Sequence, residues 1–499
     1  MTEQQQVLIG GNKTGSKIFL DAAMANRHGL VTGATGTGKT VTLQLLAESF
    51  SRLGVPVFSA DVKGDLSGIA QGGKAHEKIN ERLQHIGIAD HSFAGCPVLF
   101  WDIFGKTGHP VRTTISEMGP VLLANLLDLN DTQGGILHVA FAVADDQGLL
   151  LLDLKDLSAM LNWIADNRQE LAREYGNITS QSVSAIQRKL LVLRESGGEF
   201  FFGEPGLNIE DLMHADFSGH GVISLLDASS LYSNPKIYST FLLWLLSEMM
   251  EDLPERGDAP LPKLVFFFDE AHLLFNNAPR ALIDRITQVV RLIRSKGVGI
   301  FFVSQYPNDI PDEVLGQLGC RIQHGLRAFT PKDQKAVKVA AQTFRQNPDI
   351  DTEKAITELG VGEALVSTLD PKGRPTMVDW CLLAPPHSQI GPINSEERSH
   401  LMARSPLKGR YDTPADRVSA YELLAEREKN LQLKRQEATA ELEREKTAAK
   451  EEEISRKSSG RQRQSVGEAM LKSVVRTVGS QIGRSIVRGI LGSIIGKRR

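Results

Sequence analysis

Cysteine is scarce in this chain of 499 residues, which contains only Cys96, Cys320 and Cys381, far apart and without a C-x-x-C spacing. That scarcity argues against a disulfide framework and a structural metal, and it predicts a protein of the reducing cytoplasm. The start, MTEQQQVLIG, lacks a basic stretch and an apolar signal core, so export is not expected. No run of about 18 uninterrupted apolar residues occurs, so no segment has the length of a membrane span.

An excess of positive charge is also lacking, because 57 Lys and Arg are outweighed by 60 Asp and Glu. The balance is uneven along the chain. Residues 461–499 hold nine Lys/Arg and one Glu, a local charge of +8, which leaves −11 on the other 460 residues. A basic tail on an acidic body predicts that the tail meets an anionic partner.

What the sequence does contain is GATGTGKT, from Gly33 to Thr40, between the strand-like HGLVTG and an apolar-periodic helix from about Val41 to Arg52. It fills every fixed position of the phosphate-loop pattern G-x-x-x-x-G-K-[ST]. Glycines let backbone N–H groups point at phosphate oxygens, and the following helix directs its positive end at the same anions. Lys39 is expected to reach the β- and γ-phosphates of ATP, and Thr40 to offer its hydroxyl to Mg²⁺. The predicted nucleotide contacts are Gly33, Ala34, Thr35, Gly36, Thr37, Gly38, Lys39, Thr40 and Val41.

A second signal lies in LPKLVFFFDEAH, where five apolar residues, Leu264–Phe268, are typical of a parallel strand buried on both faces. Asp269 and Glu270 follow at the carboxyl end of that strand. There Asp269 would organise Mg²⁺ and Glu270 would polarise the attacking water. His272 is expected to pack or to cap the next helix.

Two more strand ends carry polar residues. Gln305 follows the apolar run Gly299–Ser304, where its amide would sense the γ-phosphate or orient water. Asp61 ends the strand VPVFSAD and Asp65 follows it, and the two acids either face the ligand edge or cap the next turn or helix. The chain is therefore predicted to be α/β, a RecA-like P-loop NTPase core with a mostly parallel sheet, a largely helical insertion and a C-terminal helical tail.

The expected division of the chain follows composition. Residues 1–112 and 221–395 would form the two parts of the ATPase core, with a helical insertion at 113–220. Residues 396–460 are predicted to be a charged helical linker, since the stretch from about Ala415 to Lys457 has neither Pro nor Gly. Residues 461–499 read as a basic, Gly-containing amphipathic helix, suited to self-association or docking, to a membrane surface, or to nucleic acid.

Together, HGLVTGATGTGKT, ADVKGD, LVFFFDEAHLLF, RLIRSKGVGIFFVSQYPNDIP and QLGCRIQHGLRAFTPKDQ resemble the HerA/FtsK group of P-loop ATPases, and most closely the bacterial HerA-like helicase family. The resemblance implies ATP hydrolysis with Mg²⁺ and a ring, a hexamer, around double-stranded DNA. It also implies an arginine donated to the γ-phosphate of a neighbouring subunit. Arg321 is the best-placed match, with Arg294 and Arg327 behind it.

The expected catalytic residues are thus Glu270, Lys39, Gln305 and Arg321, and the expected metal-holding residues are Thr40 and Asp269. The leading hypothesis is a cytoplasmic ATP hydrolase that moves along DNA. The alternative is a nucleotide-gated oligomeric scaffold that residues 461–499 recruit to a membrane surface or a protein partner, a hypothesis motivated by the acidic body.

Overall fold

The computed structural model describes residues 5–230, 235–257, 259–276 and 280–458. The predicted tail helix, residues 461–499, lies outside the described residues. Contacts divide the chain into two compact units. The first contains the described residues up to His138, Leu152–Leu154 and Ile178–Arg417, and the second contains Val139–Leu151, Lys155–Asn177 and the described residues from Val418 onward.

One sheet of 12 strands runs through the first unit, in the order β2-β1-β12-β11-β10-β3-β9-β8-β4-β7-β5-β6. From β10 to β6 all neighbours pair in parallel, and from β2 to β10 they pair antiparallel. The strands are β1 Gln6–Gly11, β2 Lys17–Asp21, β3 Gly29–Thr32, β4 Val57–Asp61, β5 Val98–Asp102, β6 His109–Pro110, β7 Ile223–Asp227, β8 Leu264–Phe268, β9 Val298–Ser304, β10 Cys320–His324, β11 Glu363–Ser367 and β12 Asp379–Leu383.

Helices connect the parallel strands, except that a loop of residues 103–108 joins β5 to its parallel neighbour β6. The helices are α1 Lys39–Arg52, α2 Glu77–Ile86, α3 Ile115–Leu126, α4 Asp131–Gln147, α5 Leu154–Asp166, α6 Arg168–Tyr175, α7 Ser180–Leu193, α8 Glu199–Phe201, α9 Pro235–Asp252, α10 His272–Phe275, α11 Arg280–Ile293, α12 Asp312–Leu315, α13 Pro331–Gln342, α14 Thr352–Glu358, α15 Ser395–Ala403 and α16 Ala420–Ser458. The predicted helical character between β6 and β7 is confirmed, since α3 to α8 lie there.

The centre of the sheet is buried on both faces. Every residue of β3, β8 and β9 is buried. The rings of Phe267 and Phe301 lie 5.2 Å apart, and Phe50 of α1 packs 6.1 Å from Phe301. Each such side chain contributes about 1.5–3 kcal/mol of transfer free energy when buried. This packing fixes α1, and with it the loop that precedes α1, against the central strands.

Strand β2 is the main element that the sequence pattern does not predict. The segment Lys17–Asp21 is short and partly exposed, so its apolar alternation is weak. It pairs with β1 from Gln6↔Asp21 to Gly11↔Lys17 and forms the edge of the sheet. Along described residues no helix is long and apolar enough to cross a membrane.

Candidate active site

The phosphate loop joins β3 to α1, and α1 begins at Lys39, two residues before the predicted start. Three of its glycines have positive φ: Gly33 at 154°, Gly36 at 80° and Gly38 at 110°. A Cβ on Gly33 would lie 2.4 Å from the Cβ of His324, whereas a Cβ on Gly36 would meet nothing within 4 Å. Gly33 is therefore required by space as well as by φ, and Gly36 by φ alone.

Residues about 300 positions later in the sequence fix the conformation of the loop through hydrogen bonds. Ala34 N–H donates to Gly325 O at 2.9 Å, and Gly362 N–H donates to Thr37 O at 3.0 Å. His324, fully buried, lies with Nδ1 3.1 Å from Thr37 O and Nε2 2.9 Å from Thr42 Oγ1. A carbonyl only accepts, so Nδ1 carries the proton and the neutral ring accepts at Nε2. Burial, with Lys39 nearby, lowers the pKa of His324 to about 4, so the ring stays neutral.

Lys39 is directed back onto the loop. Its Nζ donates to Gly33 O at 2.6 Å and to Ala34 O at 3.1 Å, and the side chain is buried. Burial, reinforced by the charge of Lys63, lowers the pKa of Lys39. A buried ammonium held by neutral carbonyls can exchange them for charged phosphate oxygens, which form stronger hydrogen bonds.

Asp269 directly follows β8 and is only 3% exposed. Its Oδ2 is buried and has no hydrogen-bond partner. Burial raises the pKa of Asp269 to about 7, against the opposing effect of Lys63. An unpartnered buried carboxylate oxygen is unfavourable unless a cation meets it, and oxygen ligands are those that Mg²⁺ prefers.

Glu270 adopts the left-handed backbone conformation, with φ at 47°, a conformation that non-glycine residues seldom take. Its Oε1 lies 2.6 Å from Lys63 Nζ, and its Oε2 lies 3.2 Å from His272 Nδ1. Burial acts to raise the pKa of Glu270, but His272 and Lys63 together lower it to about 2. The carboxylate is thus ionised and held between the ammonium of Lys63 and the ring of His272.

Pattern reasoning did not find Lys63 as a neighbour of Glu270, and it expected His272 to pack or to cap a helix, not to contact Glu270. Lys63 follows β4, whose carboxyl end lies beside that of β8, so the strand-end logic used for Asp269 could have found it. Asp61 organises the turn that carries Lys63, because its carboxylate accepts from Gly64 N–H at 2.7 Å and from Leu66 N–H at 3.0 Å. The sequence left two roles open for Asp61, facing the ligand edge or capping the next turn, and these hydrogen bonds show the capping role.

A cavity of about 420 Å³ opens at this edge of the sheet. It is lined by Thr35, Val62, Lys63, Ser229, Glu270, His272 and Gln305. Gln305 follows β9, and its position is set by Asp309, which accepts from Ser304 Oγ at 2.6 Å and from Tyr306 N–H at 2.9 Å. The structure thus brings Gln305 and Glu270 to one cavity, beside the phosphate loop.

Arg321 is not brought to this cavity within the same chain. It sits near the amino end of β10, where Arg321 pairs with Leu30, and Nη2 donates to Leu315 O at 3.2 Å. Nη1 is buried without a hydrogen-bond partner. The action of Arg321 on a neighbouring subunit stays a prediction.

The residues present fit ATP and Mg²⁺. Thr40 and Asp269 would hold the metal, whose charge would draw electrons from the phosphoryl group. The described residues contain no cluster of three or more His, Cys, Asp or Glu able to bind a metal alone. Mg²⁺ usually binds through one or two protein oxygens together with phosphates and water.

A phosphate loop between β3 and α1, with acids at the end of the parallel strand β8 on the far side of β9, defines a P-loop nucleoside triphosphatase with a RecA-like core. The chain belongs to the helicase HerA-like C-terminal family, whose model matches residues 6–499. The resemblance recognised in the motifs and the predicted fold are both confirmed.

Among curated proteins, the probable helicase MJ1565 of Methanocaldococcus jannaschii is 33% identical over 126 residues, which are 24% of this chain and 23% of that protein. The match therefore spans about a quarter of either protein.

Among solved structures, plasmid coupling protein TrwB with the ATP analogue ADPNP is 14% identical, with a TM-score of 0.52, over 79% of this chain and 91% of that one. TrwB with ADP and Mg²⁺ is 13% identical, with a TM-score of 0.50 and the same coverage. At such identities the likeness concerns the fold.

Proposed function

We propose that the chain hydrolyses ATP and couples hydrolysis to movement along double-stranded DNA as a ring-forming, HerA/FtsK-type motor of the cytoplasm. The observation that carries the proposal is the meeting of four strand ends at one edge: the phosphate loop after β3, Lys63 after β4, Asp269 and Glu270 after β8, and Gln305 after β9. Family membership supports the coupling to DNA. All three cysteines are buried and unpaired, which agrees with a reducing compartment.

In this proposal Lys39 and the loop N–H groups hold the phosphates, and Gln305 orients the water or senses the γ-phosphate. The oxygen of water bonds to the γ-phosphorus while the bond to the β-bridging oxygen breaks. ADP leaves with that electron pair, and Glu270 accepts the proton of the water. Since Lys63 neutralises Glu270 before nucleotide binds, the pair has to open. The γ-phosphate, an anion entering the same cavity, would draw Lys63 away.

We assign to Arg321 the stabilisation of the γ-phosphate across a subunit boundary of the ring. Supporting this role, no carboxylate lies within 4.0 Å of its guanidinium in the described part of the chain, and Nη1 has no partner. A planar guanidinium in that state could donate from Nη1 to charge on a phosphoryl group once Nη1, which is buried in the single chain, is uncovered.

Glu270→Gln tests the hydrolytic role. The amide cannot accept the proton of water, so we expect turnover to fall by about 10²–10⁴-fold while ATP affinity stays within a fewfold of wild type. Glu353→Gln, an exposed change on α14, is the matched control. Hydrolysis at the wild-type rate in Glu270→Gln would remove the assignment.

The coupling to DNA is tested by ATPase rates with duplex DNA, single-stranded DNA and RNA, each at a stated salt concentration because nucleic-acid affinity depends strongly on salt. Duplex DNA should stimulate the ATPase rate most, and no stimulation by any of the three nucleic acids would contradict the proposed motor function.

The alternative, a scaffold recruited through residues 461–499, depends on residues outside the described chain, and no observation on the described residues favours it.

A further inference from the structure

A second cavity, of about 490 Å³, lies at the carboxyl ends of β5 and β6, away from the phosphate loop. We call it the β5 cleft. Its walls are the loop between β5 and β6, the helix α15 and the segment that follows α15. The lining residues that carry a charge or make the hydrogen bonds described below are Lys106, Thr107, His109, Arg398, Lys408 and Asp412.

The loop of the β5 cleft, GKTG from Gly105 to Gly108, is held by one carboxylate. Asp102, 4% exposed, accepts from the N–H groups of Phe104 at 2.9 Å, Lys106 at 2.7 Å and Thr107 at 2.9 Å. Three such bonds to an ionised acceptor fix the loop more firmly than neutral ones would. Lys106 is therefore presented from an ordered backbone.

The opposite wall is also built. Arg398 lies over the ring of Phe100, 4.6 Å from its centroid, and Nη1 donates to Thr107 O at 3.2 Å. His109, 1% exposed, has Nε2 2.7 Å from Ser405 Oγ and Nδ1 3.0 Å from Asp412 Oδ1. These contacts hold the guanidinium and the segment after α15 in fixed places around the cavity.

The charge of the β5 cleft is positive. Arg398 lies at 4.0 Å from Asp227, its nearest carboxylate, while Lys106 and Lys408 have no ion pair within 4.0 Å among the described residues. Asp412 is the one acid in the lining, and it is engaged by Gly409 N–H at 2.7 Å and by His109. Scattered surface lysines need no explanation, but three cationic residues in the lining of one concave space of an acidic protein do.

We propose that the β5 cleft binds the phosphate group of a second ligand, and that the nucleotide cavity senses its occupancy. The cleft volume lies within the roughly 300–1,000 Å³ of small-ligand sites. The fork of Arg398 and the two lysines match the tetrahedral, multiply charged oxygens of a phosphate ester. The phosphate belongs either to a free nucleotide or phosphate ion or to the backbone of a nucleic acid.

Three hydrogen bonds, all accepted by Asp227, connect the β5 cleft to the nucleotide cavity. Thr107 Oγ1 donates to Asp227 Oδ2 at 2.8 Å, and the other oxygen of Asp227 accepts from Ser229 Oγ at 2.6 Å and Ser229 N–H at 3.1 Å. Ser229 lines the nucleotide cavity. A ligand that moves Thr107 therefore moves a wall of the ATP site. This part of the proposal rests on the proposed nucleotide site.

Binding is tested in Lys39→Ala protein, whose phosphate loop is disabled, so that the result does not depend on ATP hydrolysis. Three probes are titrated at about 0.1 M salt: inorganic phosphate, ATP and a single-stranded DNA of about 20 nucleotides. On this background Lys106→Glu/Lys408→Glu should weaken binding at least about tenfold. Lys335→Glu/Lys338→Glu, exposed lysines on α13, is matched in charge and should stay within about twofold of the Lys39→Ala parent.

A difference with phosphate or ATP identifies a free ligand, and a difference with DNA alone identifies a strand backbone; both support the site. Equal affinities of the two charge variants for all three probes would overturn it.

Linkage between the two cavities is measured as the change in the affinity of wild-type protein for ATP when the probe that binds the β5 cleft is saturating. Coupling of this kind is typically about 5–150-fold and reciprocal. Thr107→Val should abolish that change. No change in the wild type would overturn the linkage and leave the proposed ATPase untouched.

Discussion

Lys63 Nζ lies 2.6 Å from Glu270 Oε1, which joins the turn after β4 to the acid after β8. The side chain of Glu270 is 6% exposed and that of Lys63 is 37% exposed, so the carboxylate is buried while the ammonium is partly in contact with solvent. Burial alone would raise the pKa of Glu270, and its fall to about 2 shows that the ion pairs outweigh desolvation. The candidate base is therefore held as an ionised, paired carboxylate.

A double-mutant cycle of Lys63→Met and Glu270→Gln measures this pair. The pKa of Glu270 is about 2 in the folded protein and 4.5 ordinarily. The contribution of the pair to the free energy of unfolding is therefore fully present above about pH 4.5 and is lost as the pH falls toward 2. At pH 7 we expect a coupling of about 1–2 kcal/mol, less than for a fully buried pair because water screens Lys63. Urea unfolding of the four proteins gives the value, and additive single effects would contradict the pairing.

Gly33→Ala should cost more than Gly36→Ala in nucleotide-free protein. Both changes force a side chain into positive φ, at about 1–2 kcal/mol, but only at Gly33 does the new Cβ meet His324. That overlap adds about 1–3 kcal/mol. Gly15→Ala, with φ at 82° and open space, is the matched control and should resemble Gly36→Ala. The free energies of unfolding decide the order.

His324→Gln should make the free energy of unfolding fall less steeply as the pH drops below about 6.5. The folded pKa is about 4 and the ordinary value 6.5, so the unfolded chain binds the proton first. Stability therefore falls as the pH drops from about 6.5 to 4, by up to about 3 kcal/mol from this ring. Unfolding midpoints of wild type, His324→Gln and the exposed His400→Gln across that range provide the comparison. Parallel curves for all three proteins would refute the assignment.

Asp269→Asn should remove the dependence of ATP affinity on Mg²⁺. The unpartnered Oδ2 of Asp269 loses its charge, so the metal would be left with Thr40 and the nucleotide. ATP affinity measured without metal should change little, and hydrolysis should fall below detection. The exposed Asp312→Asn serves as the control. A normal response of Asp269→Asn to Mg²⁺ would remove the metal assignment.

The sequence allows the phosphate loop, the strand end at Asp269 and the position of Gln305 to be predicted, because each signal lies within about ten neighbouring residues. The partnership of Lys63 with Glu270 depends on β4 lying beside β8, and strand order is not written in any local pattern. His324 escaped for the same reason. Its role is visible only once β10 is known to pair with β3.

The hydrogen bonds that Gly325 and Gly362 make to the phosphate loop have a consequence for synthesis. The loop leaves the ribosome about 290 residues before Gly325, which holds Ala34, and about 325 residues before Gly362, which holds Thr37. An emerging N-terminal segment thus carries the complete motif without the contacts that shape it. In the proposed ATPase, nucleotide binding would therefore stabilise the chain only after the segments next to β10 and β11 have been made and have folded against the loop.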